Sequence, residues 1–175
     1  MSFSMLLRRS ALTVVALACV ALPAAAITDL KFTYSTEQTG FLTISPMAMA
    51  PDGDATAAKP WLSYWGGARL TGRGCFQTGV NLPQGARIAE VRTWFQKAIT
   101  FEMWSAKLAD GVATKIVGKD TTAADPTARR NFGLAPATAT FVDNRAQTYG
   151  FGVCLEENEI FFGARIIYKY TSAGD

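Results

Sequence analysis

The stretch Tyr149-Gly-Phe-Gly-Val-Cys-Leu-Glu-Glu-Asn-Glu-Ile-Phe-Phe-Gly-Ala-Arg-Ile-Ile-Tyr-Lys-Tyr170 changes character at almost every step. Tyr149, Phe151, Val153 and Leu155 alternate with Gly150, Gly152, Cys154 and Glu156. Further on, Ile160, Phe162, Ala164, Ile166, Tyr168 and Tyr170 alternate with Phe161, Gly163, Arg165, Ile167 and Lys169. A period of two is the signature of a half-buried strand, because successive side chains leave opposite faces. Arg165 and Lys169 share one parity, so the set that begins at Ile160 is expected to face the core. Glu156 to Glu159, with Asn158 among them, are expected to join the two strands as a tight hairpin.

The same period extends outward from this pair. Strands are expected at Lys31–Ser35, Phe41–Ser45, Trp61–Trp65, Cys75–Leu82, Arg87–Gln96, Thr100–Leu108, Ala113–Val117 and Ala139–Val142. Asp110-Gly111 is a second hairpin signal. Gly40, Pro46, Pro60, Gly66-Gly67, Pro83 to Gly85 and Asp143-Asn144 break the pattern between runs. Two stretches, Met47 to Lys59 and Lys119 to Pro136, are rich in Ala, Thr, Asp and Pro and read as long loops. No long amphipathic helix, repeat or second domain is visible. Eight to ten short strands with frequent turns point to an all-β, antiparallel sandwich of jelly-roll type, with a closed barrel as the alternative.

Residues 1–26 read as a secretory signal peptide. Arg8 and Arg9 supply the positive start, Ser10 to Leu22 the apolar run, and Ala24-Ala25-Ala26 the small-residue cleavage site before Ile27. The run is short for a membrane span, which needs about 20 apolar residues. The chain of 175 residues then divides into the signal and one domain over 27–175, secreted or periplasmic, with no membrane span in the mature part. Removing Arg8 and Arg9 lowers the formal charge from +3 to +1. No basic excess remains to attract nucleic acid.

Histidine is absent. That excludes Ser-His and Cys-His nucleophiles, imidazole bases and imidazole metal ligands. Neither a metal nor a cofactor is expected. Of three cysteines, Cys19 belongs to the signal, and Cys75 and Cys154 remain. In an exported chain such a pair points to a disulfide, with two free buried thiols as the alternative. Both cysteines lie opposite the apolar parity of their strands, so a bridge would sit on an outer face or at a strand end. Chain entropy for so long a loop amounts to roughly 4 kcal/mol.

Gly72-Arg73-Gly74-Cys75-Phe76, followed by Val80-Asn81-Leu82-Pro83-Gln84-Gly85-Ala86, resembles a pattern in exported bacterial single-domain proteins. Val142-Asp143-Asn144, the Tyr149–Leu155 strand and Arg165-Ile166-Ile167-Tyr168 continue it. Gln84 stands where that pattern often has Asp. The resemblance implies a secreted β-sandwich and carries no catalytic residues.

Three chemistries remain. Glu156, Glu157 and Glu159 cluster at one turn, and Asp52 and Asp54 in one loop, where solvated carboxylates are expected. A hydrolase would need two of them opposed across a cleft. Trp61, Tyr64 and Trp65 lie close in sequence, with Trp94 and Trp104 further on; such rings either fill a core or form a platform for sugars. Among nucleophiles, no Ser-x-x-Lys motif is present. The sequence therefore points to a non-enzymatic binding or envelope-associated structural module with a protein or glycan partner. Its expected contact residues are Trp61, Tyr64, Trp65 and a loop around Arg129 and Arg130. A lectin-like carbohydrate-binding module and a carboxylate-dependent glycan hydrolase are the alternatives.

Overall fold

A computed structural model describes residues 32–51, 61–64, 66–70, 72–121 and 128–173, with backbone alone at 32, 61–64 and 173. The signal-peptide reading, Cys19, Asp52, Asp54 and Trp65 lie outside these residues. The described chain is β-structure apart from turns and one 3-10 turn at Pro46–Ala48. No helix in it is long and apolar enough to cross a membrane.

Two antiparallel sheets face each other across one core. In the first, β12 (Ile160–Ala173) is the spine. One edge of β12 pairs with β6 (Arg87–Gln96). The other pairs with β1 (Phe32–Ile44) from Ala164 onward and with β4 (Gly67–Leu70) at Ile160 and Phe161. β3 (Trp61–Tyr64) extends β4. β9 (Arg129–Leu134) and β10 (Thr140–Phe141) share the free edge of β6, so this sheet has seven strands. The second has five, in the order β2 (Ala50–Pro51), β5 (Gly74–Gly79), β11 (Gln147–Leu155), β7 (Thr100–Lys107), β8 (Ala113–Asp120). The expected antiparallel sandwich is therefore what forms.

The core consists of the inward parities of both sheets. Val91 and Phe95 on β6, and Ala164 and Ile166 on β12, face Phe101 and Met103 on β7 and Phe151, Val153 and Leu155 on β11. Phe151 stacks on Phe161 across the gap, ring centroids 6.1 Å apart. This packing corrects the expected hairpin. β11 and β12 do not pair; the turn at Glu156–Glu159 carries the chain from one sheet to the other. Both strands carry a strongly apolar face, and laying those faces against each other removes more surface from water than edge pairing would.

A second correction concerns parity. Phe161 is fully buried and Phe162 only half-buried, the reverse of the alternation expected from Ile160. The β6–β12 register shifts between Phe161 and Gly163, where Gly163 has φ 140°. A bulge adds one residue to β12, so Phe161 and Ala164 both point inward. A side chain on Gly163 would also press on the Ile44 carbonyl, at 2.9 Å.

Several expected boundaries move. The two strands at Lys31–Ser35 and Phe41–Ser45 are one strand from Phe32, Lys31 lying outside the described residues. Gly40 is no turn: the ring of Tyr168 occupies the place of its missing side chain. The loop expected over Lys119–Pro136 contains the end of β8 and all of β9. Gly67 opens β4 instead of ending a run. Cys75–Leu82 ends as a strand at Gly79.

The sequence pattern that carried the resemblance forms one lock between the sheets. The Gly85 N–H donates to the Val142 carbonyl, and the Val142 N–H donates to the Ala86 carbonyl. Asn144 donates from its side chain to Leu82 O at 2.8 Å and from its backbone to Gln84 Oε1 at 2.7 Å. The Asp143 N–H donates to the Tyr149 hydroxyl at 2.7 Å. These residues satisfy backbone groups at a turn that would otherwise be orphaned. Gln84 joins this turn through its side-chain oxygen, which accepts from the Asn144 N–H.

Candidate functional site

Each sheet presents a tryptophan on its outer face. On β7, Phe101, Met103 and Ser105 point inward, so Glu102, Trp104 and Ala106 point out. Opposite them on β11 stand Gly152, Gly150 and Thr148. With no side chains on the two glycines, the indole of Trp104 lies across them. A Cβ at Gly150 would meet its Cε2 at 2.5 Å, and one at Gly152 its Cζ3 at 3.0 Å. The indole thus packs against the bare backbone of β11 on the outer face of the sheet.

Depressions of about 240 and 530 Å³ flank this ring, and together they make a trough across the second sheet. Gln77 lines both, Glu102 and Thr100 one, Thr78 and Thr148 the other. The trough opens where Gly79, Gly150 and Gly152 contribute no side chains. Thr100 is engaged by Asp120, at 2.7 Å. Glu102 is the one carboxylate lining the trough among the described residues, whereas glycoside hydrolysis uses two opposed carboxylates.

Cys75 and Cys154 close one end of the trough. They are directly opposed on β5 and β11, with Cα atoms 4.0 Å apart, and they form a disulfide on the outer face. This is the arrangement that strand parity predicts.

On the other sheet, the bulge in β12 leaves a cleft of about 420 Å³. Gly163 forms part of its lining, with Trp94, Phe162 and Pro46 as apolar walls. Arg129 lies over the Phe162 ring, 4.3 Å from its centroid. Arg165 lies over Trp94 at 5.3 Å and over Phe41 at 5.6 Å.

The expected contact residues thus separate. Arg129 and Arg130 belong to edge strand β9, not to a loop, and only Arg129 reaches the cleft. Trp61 and Tyr64 lie on β3 by their backbone; their side chains lie outside the described residues, as does Trp65. Trp94 and Trp104, set aside in the sequence, hold the two outer faces. The signal that finds them is parity: Trp94 alternates in step with Glu90 and Arg92, and Trp104 with Glu102.

The acidic turn also needs correction. Glu156 and Glu157 are exposed, but Glu159 is 9% exposed and its Oε2 accepts from the Glu156 N–H at 2.6 Å. Burial pushes its carboxyl above the ordinary range, and the Glu156 charge adds to this. The backbone donors of Glu156 and Ala98 and the Lys97 charge oppose it. Among the described residues, no three His, Cys, Asp or Glu gather as a metal site.

No protein-family model and no curated protein matches the sequence. Solved structures with a similar course of the chain include TmCBM61 in complex with β-1,4-galactotriose, at 13% identity and TM-score 0.35 over 79% of this chain and 90% of that one. A variant of the family 29 carbohydrate-binding module CBM29-2 gives 7% identity and TM-score 0.39 over 75% and 92%. A structure of the infectious bursal disease virus Gx strain gives 6% and 0.38 over 79% and 33%. All three scores are below 0.5, so the sandwich assignment rests on the strand pairing above.

Proposed function

We propose that this protein is an exported, non-catalytic glycan-binding module whose contact surface is the Trp104 trough. The observation that carries the reading is the half-buried indole of Trp104 packed over Gly150 and Gly152 on the outer face, with polar side chains lining the depressions on both sides. A sugar ring has an apolar C–H face and a polar rim. An aromatic plane takes the first, and the amide of Gln77, the carboxylate of Glu102 and the hydroxyl of Thr148 take the second. A ring locked on a rigid sheet loses little conformational freedom on binding. The disulfide at the end of the trough fits an oxidising compartment.

The test is a glycan array probed with the mature, disulfide-bonded chain, followed by affinity measurement on the best ligand. Trp104→Ala is expected to weaken binding at least tenfold with an unchanged circular dichroism spectrum. Absence of any bound glycan, or full binding by the variant, refutes the reading. Intact mass of exported protein should place its N-terminus at Ile27, as the Ala24-Ala25-Ala26 site requires.

A further inference from the structure

We propose that the cleft at the Gly163 bulge is a second binding site, independent of the Trp104 trough, for a hexose-sized ring that carries an oxyanion. Charge is the first argument. Two other arginines of this sheet have carboxylate partners: Arg92 meets Glu90 at 2.6 Å and Arg87 meets Glu37 at 3.1 Å, whereas Arg69 and Arg130 pair with none among the described residues. Arg129 and Arg165 have none within ion-pair distance among the described residues, and no acidic side chain lines the cleft. Among the described residues, two cations thus share an apolar cleft with no carboxylate beside them, and an anionic ligand would supply the counter-charge.

Geometry is the second argument. Each guanidinium lies over aromatic rings, Arg129 over Phe162 and Arg165 over Trp94 and Phe41. A cation–π contact holds the group in place and leaves its N–H groups to donate. A carboxylate or phosphate accepts two parallel bonds from such a group. The bulge is what creates the room. It turns Phe162 outward beside Trp94, and Gly163 places no side chain between them. The volume of about 420 Å³ and the walls of Trp94, Phe162 and Pro46 suit the apolar face of one ring.

The experiment is a nitrogen-15 NMR titration of the mature, disulfide-bonded chain with three probes: glucuronate, glucose 6-phosphate and glucose. The Trp94 indole and Gly163 amide resonances are expected to shift saturably with one or both anionic probes. The arm that saturates at lower concentration identifies carboxylate or phosphate as the preferred group. Glucose should leave them in place. Arg129→Gln and Arg165→Gln, both on exposed side chains, should each weaken the anionic probe at least tenfold. Trp104→Ala should not change it, so failure of the trough reading would be seen separately. Unmoved resonances with both anions, equal shifts with glucose, or unchanged affinity in both arginine variants would overturn the proposal.

Discussion

The indole of Trp104 occupies the space in which a side chain at Gly150 would stand. Glycine in a strand interior usually weakens it, through backbone freedom and lost packing. Here the cross-strand aromatic covers the bare backbone and offsets that loss. The pair therefore acts as a single device: the bare glycine leaves room for the ring, and the ring covers the glycine.

Gly150→Ala should lift the ring without harming the fold. A methyl group at that position would meet Trp104 Cε2 at 2.5 Å and so forces the indole off β11. Glycan affinity is expected to fall roughly tenfold, about 1.4 kcal/mol, while stability to urea changes by less than about 1 kcal/mol. Retained affinity with a shifted Trp104 indole resonance would mean that the position of this ring is not what binds.

Adjacent phenylalanines should behave very differently because of the bulge. Phe161 is wholly buried against Phe151, so Phe161→Ala should cost about 3–5 kcal/mol. Phe162 is half-buried on the outer face, so Phe162→Ala should cost much less. Chemical denaturation of both variants decides it. Equal costs would place the bulge elsewhere in β12.

Loss of the Cys75–Cys154 bond should lower stability by about 2–5 kcal/mol, since it closes a loop with a separation of 79 residues. The comparison is the Cys75→Ala, Cys154→Ala double variant against the oxidised parent in urea. Peptide mapping of the exported protein without reductant should show one linked pair. Two alkylatable thiols would be the contrary result.

Glu159 should give stability a pH dependence of unusual sign for a carboxylate. Its folded pKa is raised from 4.5, so the folded state binds its proton more tightly than the unfolded chain does. The stability this contributes is complete below 4.5 and is lost as pH rises through the raised folded value. Glu159→Gln keeps an acceptor for the Glu156 N–H and removes the charge. Relative to the parent, it should therefore be more stable at pH 7 than at pH 4. Identical pH profiles in parallel urea titrations would show that the carboxylate stays solvated.

Alternation along the chain was enough to read the strands and the all-β class. It placed Cys75 and Cys154 on outer parities, and it carried the outward position of Trp94 and Trp104, in step with Glu90, Arg92 and Glu102. Those are local properties: a strand's parity follows from the backbone, whatever it pairs with. Sheet membership is not local. Two apolar runs joined by a short turn can pair edge to edge or stack face to face, and only the packing of Phe151 on Phe161 selected stacking for β11 and β12. The bulge at Gly163 was invisible because it exchanges only Phe161 and Phe162, two like residues, between the faces, while Ile160, Ala164 and Ile166 keep the expected side. β9 was hidden for a related reason. Phe132 and Leu134 are only half-buried at an edge, so Arg129 and Arg130 dominated the reading until pairing with β6 ordered the segment. Both candidate sites arise from such long-range events: an indole meeting a glycine on the next strand, and an arginine from β9 meeting a ring that a bulge in β12 turned outward.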